Sequence, residues 1–101
     1  MVFDILEEEK RRLLSLKKRY QHRLSELPRG SLSKKKRWNR EYLYLAYRVS
    51  GKVKFDYIGP VDSDAAQDVA AKVNRRKDLE EKLTQVEQNL AEVERGLRGR
   101  R

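Results

Sequence analysis

The chain has 101 residues, with 25 Lys and Arg against 16 Asp and Glu, a formal charge of +9, one His and no Cys. That length suits one domain, and the lack of Cys excludes a disulfide framework or a Cys-ligated zinc site. The longest apolar run, Tyr42 to Tyr47, falls far short of the about 20 residues of a membrane span, and the N-terminal Met-Val-Phe-Asp-Ile-Leu-Glu-Glu-Glu has neither the basic flank nor the apolar stretch of a signal peptide. A cytoplasmic protein without membrane or small-molecule partners is the expectation.

In chain order, the first predicted element is a helix over residues 3–27. Leu6, Leu13, Tyr20 and Leu27 recur every seven residues, with Leu16 and Leu24 on the same side. Glu7 with Arg11 and Glu8 with Arg12 stand as i,i+4 pairs in the favourable order. Pro28 disfavours helical geometry at Leu27 and ends the helix, and Pro28-Arg29-Gly30 makes a turn. Lone His22, off the apolar stripe, reads as a surface residue.

Residues 31–58 read as a basic three-stranded antiparallel meander. Ser31 to Arg37 is a short Lys-rich edge strand with Trp38-Asn39 as its turn, since like charges oppose further pairing. Residues 40–49 and 52–58 are joined by Ser50-Gly51, a two-residue hairpin loop. Pairing across that loop puts Tyr42, Tyr44, Ala46 and Arg48 on one face with Val53, Phe55 and Tyr57. Leu43, Leu45, Tyr47 and Val49 share the other with Lys52, Lys54, Asp56 and Ile58. The first face carries one charge and the second three, so burial of the first is expected, with Lys52, Lys54, Tyr47 and the run Lys34 to Arg37 facing outward.

The last element is a long helix over 62–97, about 50 Å at 1.5 Å per residue. Asp62 or Ser63 caps it, which explains Asp62-Ser63-Asp64 better than a cation site. Val69, Leu83, Leu90 and Leu97 share one heptad position and Ala65, Leu79, Val86 and Val93 the other, with Lys72 and Arg76 interrupting the seam near its start. Arg76 there faces an acidic residue or a ligand; the sequence does not choose. Residues 98–101 form a basic tail. Pairing the two helices buries both stripes, so the expected fold is α+β, α-β-β-β-α: an antiparallel two-helix coiled-coil hairpin with the meander at its tip, forming a single domain. Its thin core calls for a homodimer, with Leu79, Leu83, Val86, Leu90, Val93 and Leu97 as the dimer or helix–helix interface.

The segments Leu27-Pro28-Arg29-Gly30-Ser31-Leu32, Arg40 to Arg48, Gly51 to Lys54 and Tyr57-Ile58-Gly59 resemble a group of small uncharacterised prokaryotic proteins in which an aromatic-rich hairpin lies between two helical arms. The resemblance covers most of the chain and implies a prokaryotic origin, with no established activity. The hairpin alone resembles the strand-rich, DNA-binding N-terminal modules of tyrosine recombinases and some transposases. It carries none of their catalytic residues.

Charge points the same way. Residues 28–60 hold 9 basic and 2 acidic side chains, whereas 61–101 hold 9 of each. Such asymmetry speaks of a polyanionic partner. Lys34, Lys35, Lys36, Arg37, Arg40, Arg48, Lys52 and Lys54 are the candidate phosphate contacts, with Trp38 as a candidate stacking residue and Tyr42, Tyr44, Tyr47 and Tyr57 with Phe55 as a candidate stacking platform, Tyr47 foremost; the plainer reading is a solubilising edge strand and an ordinary sheet core. Neither a nucleophile with a base nor a metal or cofactor motif is present. The function expected is non-enzymatic binding of nucleic acid, duplex DNA ahead of RNA. The competing reading is a coiled-coil structural or adaptor protein.

Overall fold

The computed structural model describes residues 1–99; Arg100 and Arg101, part of the expected basic tail, lie outside the described residues. The elements are α1 (Val2–Ser25), β1 (Ser31–Arg37), β2 (Arg40–Val49), β3 (Lys52–Pro60) and α2 (Asp64–Arg98). This is the expected α-β-β-β-α order. The chain divides into two compact units, Met1–Glu26 with Asp78–Arg101, and Leu27–Lys77.

The first unit is an antiparallel helical hairpin. Leu13, 1% exposed, packs with Val86 and Leu90, and Leu16, Tyr20 and Val93 lie against that cluster. Leu6 meets Gly96, where an added Cβ would stand 3.1 Å from Leu6 Cδ1. The helices thus run in opposite directions, each burying an apolar stripe that it cannot bury alone. α1 ends at Ser25, two residues before the expected Leu27. The Glu26 N–H turns back to the carbonyls of Arg23 and Leu24, and the Ser25 hydroxyl donates to the His22 carbonyl at 2.6 Å. Those contacts close the last turn before Pro28 acts. Arg12 pairs with Glu9, Nε to Oε2 at 3.0 Å, an i,i+3 contact one residue on from the expected Glu8.

The second unit holds a sheet of order β1-β2-β3, both pairs antiparallel. Its two connections are the expected two-residue loops. Ser50 and Gly51 both take positive φ, 52° and 79°, matching the twist of a tight hairpin. Pairings Tyr44 with Tyr57, Ala46 with Phe55 and Arg48 with Val53 follow the expected register. Past Tyr57 the register shifts, because Leu43 pairs with Gly59 and leaves Ile58 as an extra residue. This bulge carries β3 on to Pro60, two residues beyond the expected end. Gly30 is required by close approach: at φ +123° its Cβ would run into the Ala46 carbonyl oxygen. Ser63 is the cap of α2. Its Oγ accepts the Ala66 N–H at 3.2 Å and donates to the Pro60 carbonyl at 2.7 Å.

Two expectations about burial are overturned. The covered face of the sheet is the one bearing Leu32, Leu43 and Leu45, with Leu43 only 3% exposed, while Val53, Phe55 and Tyr57 on the other face stand open. The charges that argued against burying the leucine face, Lys52, Lys54 and Asp56, belong to exposed β3 residues near the Ser50-Gly51 turn. Only the far end needs cover. The second correction concerns α2. Its buried residues in this unit are Ala66 and Val73, and Ala65 and Lys72 are exposed. Counting back from Leu79 by heptads therefore misses by one residue. The step from Arg76 to Leu79 is three, following another three from Val73, so the stripe used inside this unit is out of phase with the seam beyond it. Lys72 instead pairs with Asp68 at 3.1 Å on the exposed side.

Candidate functional site

Alternation along a strand decides which basic residues act together. In β1 and β2 the register pairs Arg37 with Arg40, Lys35 with Tyr42, Ser33 with Tyr44 and Ser31 with Ala46. Across β2 and β3, Tyr44 faces Tyr57, Ala46 faces Phe55 and Arg48 faces Val53. One sheet face therefore holds Lys35, Arg37, Arg40 and Arg48 with Tyr42, Tyr44, Phe55 and Tyr57. The strand carboxylates, Glu41 and Asp56, belong to the opposite face. So do Lys34, Lys36, Lys52, Lys54 and Tyr47. The expected run Lys34 to Arg37 is thus divided two and two, and the stacking candidate Tyr47 is parted from the other aromatic residues.

The aromatic face is open. Phe55 is 48% and Tyr57 57% exposed; Tyr42 and Tyr44 are half-buried. Tyr57 sits between two rings, 5.5 Å from Tyr44 in an edge-to-face arrangement and 6.1 Å from Tyr42 at a tilt. Such pairs hold ring orientation beyond simple area burial. Lys35 reaches from β1 over this surface, its Nζ 4.8 Å from the Tyr44 centroid and 4.3 Å from that of Phe55. The small side chains of Ser31, Ser33 and Ala46 leave room for it to do so.

At the β1–β2 turn, Trp38 is 95% exposed and has φ 59°. A bulky residue in the left-handed region is rare and locally strained. The fold thus holds an indole in water, at a turn flanked by Arg37 and Arg40.

On the opposite face the Tyr47 hydroxyl donates to Asp56 Oδ1 at 3.1 Å, and that hydrogen bond above all raises the Tyr47 phenol pKa from its ordinary value. Tyr47 and Asp56 help line an open groove with Pro28, Arg29, Gly30, Leu45 and Arg48. Arg76, ambiguous in the sequence, donates from Nη1 to the Leu27 carbonyl at 3.1 Å. It thereby satisfies a backbone acceptor in the segment leading to β1. Among the expected interface leucines and valines, Leu79, Val86 and Leu90 are buried and Leu83, Val93 and Leu97 half-buried, within the chain's own helical hairpin.

The sequence reading names Tyr42, Tyr44, Tyr47 and Tyr57 with Phe55 as a stacking set led by Tyr47; what it missed is that Phe55 and Tyr57 stand open and that Tyr47 lies on the other face. A signal was present: leucines occupy one face and three of the four strand tyrosines the other, and a phenol hydroxyl prefers water or a partner to burial.

Residues 6–67 match the model of the domain of unknown function DUF6788, a span that takes in most of α1, all three strands and the first turn of α2. No curated protein and no solved structure matches the chain. The matched span contains every residue of the aromatic-basic face. The chain belongs to the DUF6788 family.

Proposed function

We propose that this protein binds nucleic acid without catalysing a reaction, and that the contact surface is the sheet face bearing Lys35, Arg37, Arg40 and Arg48. The observation that carries the reading is the composition of that face: four cations and four aromatic rings, with both strand carboxylates on the other side. Cations that neutralise phosphates release condensed counterions, so affinity falls steeply with salt. About four contacts give a log–log slope near −3.6 on duplex DNA, or near −2.8 on a single strand.

The test is binding to DNA and RNA oligonucleotides across a salt series. Affinity is expected to weaken roughly 100-fold between 50 and 200 mM salt. The triple variant Lys35→Ala, Arg37→Ala, Arg40→Ala reduces the slope by about three contacts' worth. These side chains are exposed, so circular dichroism should show an unchanged fold. Absence of binding to every oligonucleotide at 50 mM salt would overturn the proposal.

A further inference from the structure

We infer that the ligand of this face is single-stranded nucleic acid, with unpaired bases stacked on Phe55 and Tyr57 and phosphates held along β1. The inference rests on the nucleic-acid reading above and narrows it from the duplex first suggested by the sequence. The sheet separates the two chemistries by strand. On this face β1 contributes Lys35 and Arg37 and no ring. β3 contributes Val53, Phe55 and Tyr57 and no charge. β2, between them, carries both kinds, Tyr42 and Tyr44 in its middle with Arg40 and Arg48 toward its two ends. A nucleic-acid strand lying along β1 and β2 therefore meets cations on its phosphate side and aromatic planes on its base side.

A duplex makes poor use of that arrangement. Its base planes are buried in its own stack, and it offers a protein only phosphates, sugars and base edges. A single strand offers each base plane, which stacks on an aromatic ring whatever its sequence. Spacing agrees as well. Phe55 and Tyr57 are two residues apart on one strand, about 6.6 Å at 3.3 Å per residue, and form two successive platforms on the same face. Tyr57 is kept in orientation by Tyr44 and Tyr42, 5.5 and 6.1 Å away. Lys35 Nζ lies over Phe55 at 4.3 Å in the free protein. An arriving base takes that position, and the ammonium is displaced toward the adjoining phosphate.

The experiment compares a 12-nucleotide oligo(dT), oligo(rU) of the same length and a 12-base-pair duplex at 200 mM salt, where the electrostatic part is weakened. At least tenfold preference for the single strands is expected. Phe55→Leu and Tyr57→Leu should each weaken single-strand binding between 5- and 150-fold, leaving the salt slope and the duplex affinity unchanged. Phe55→Tyr should retain binding, which separates loss of a ring from loss of fold. Trp38, the only tryptophan, supplies an intrinsic fluorescence signal for wild type and variants. Equal affinity for duplex and single strand, or ring variants that bind like wild type, would overturn the stacking inference while leaving the electrostatic reading intact. Failure to bind any of the three probes even at 50 mM salt would overturn both.

Discussion

Tyr47 and Asp56 show how much one residue's place in the alternation determines. Tyr47 is one position from Ala46 and Arg48 yet belongs to the other face, and its hydroxyl is committed to Asp56 at 3.1 Å. The bond exists only while the phenol is protonated, so the folded state favours the protonated form and the pKa rises above its ordinary 10.0. The sign follows from linkage: this contribution is fully present below about pH 10 and is lost as pH rises through the elevated value. Asp56→Ala should return the Tyr47 ionisation to a lower pH, read from its ring chemical shifts in an NMR titration. An unchanged midpoint would show that the bond does not govern it. At this scale the sequence was legible for turns, since Trp38-Asn39 and Ser50-Gly51 are both tight loops. It was not legible for Arg76, because the Leu27 carbonyl that it caps is distant in sequence.

Helices and strands were legible because periodicity is a local property. Leucines every three or four residues mark α1, and an aromatic alternation around Ser50-Gly51 fixes the β2–β3 pairing. What lies against each element is not local. Charge counting chose the wrong sheet face because it treated a whole strand as uniformly covered, whereas cover is needed only around Leu43, Leu45 and Leu32. The seam of α2 was read correctly from Leu79 onward and one residue out of phase before it, since residues 66–73 serve a different core. Within the helical hairpin, Leu13 is the residue on which most depends. It is 1% exposed and packs on Val86 and Leu90. Leu13→Ala should cost about 2–5 kcal/mol, measured by urea unfolding. Its neighbour Leu14, 41% exposed, is the control: Leu14→Ala should cost less than about 1 kcal/mol. Equal losses would place Leu13 outside the core.

For the whole molecule we propose a homodimer. The seam expected as the dimer or helix–helix interface packs within one chain, so a contact between copies would fall on other apolar surface. Val2 and Ile5, 70% and 65% exposed and three residues apart on α1, are the candidates. Light scattering at micromolar concentration should return twice the chain mass of 12.0 kDa, and Ile5→Lys should return the monomer. A wild-type mass of 12.0 kDa would remove the proposal. The adaptor reading rests on the seam from Leu79 to Leu97, whose Val86 and Leu90 pack on Leu13 within the chain, and would gain if the chain proved monomeric and inert toward nucleic acid. Among the described residues, no helix is long and apolar enough to cross a membrane.

The helical unit is assembled from the two ends of the chain, Met1–Glu26 and Asp78–Arg101, with the sheet unit as everything between them. Its core contacts, Leu13 to Val86 and Leu90, therefore close a long loop, whereas each hairpin of the sheet closes across two residues. Loop closure costs more entropy as the loop lengthens, and hairpins form in about 1–10 μs. The order of assembly follows: the meander can form while the chain ends are still apart, and a folded meander then shortens the effective loop that the helices must close. The aromatic-basic face would thus be built from the contacts least dependent on distant parts of the chain.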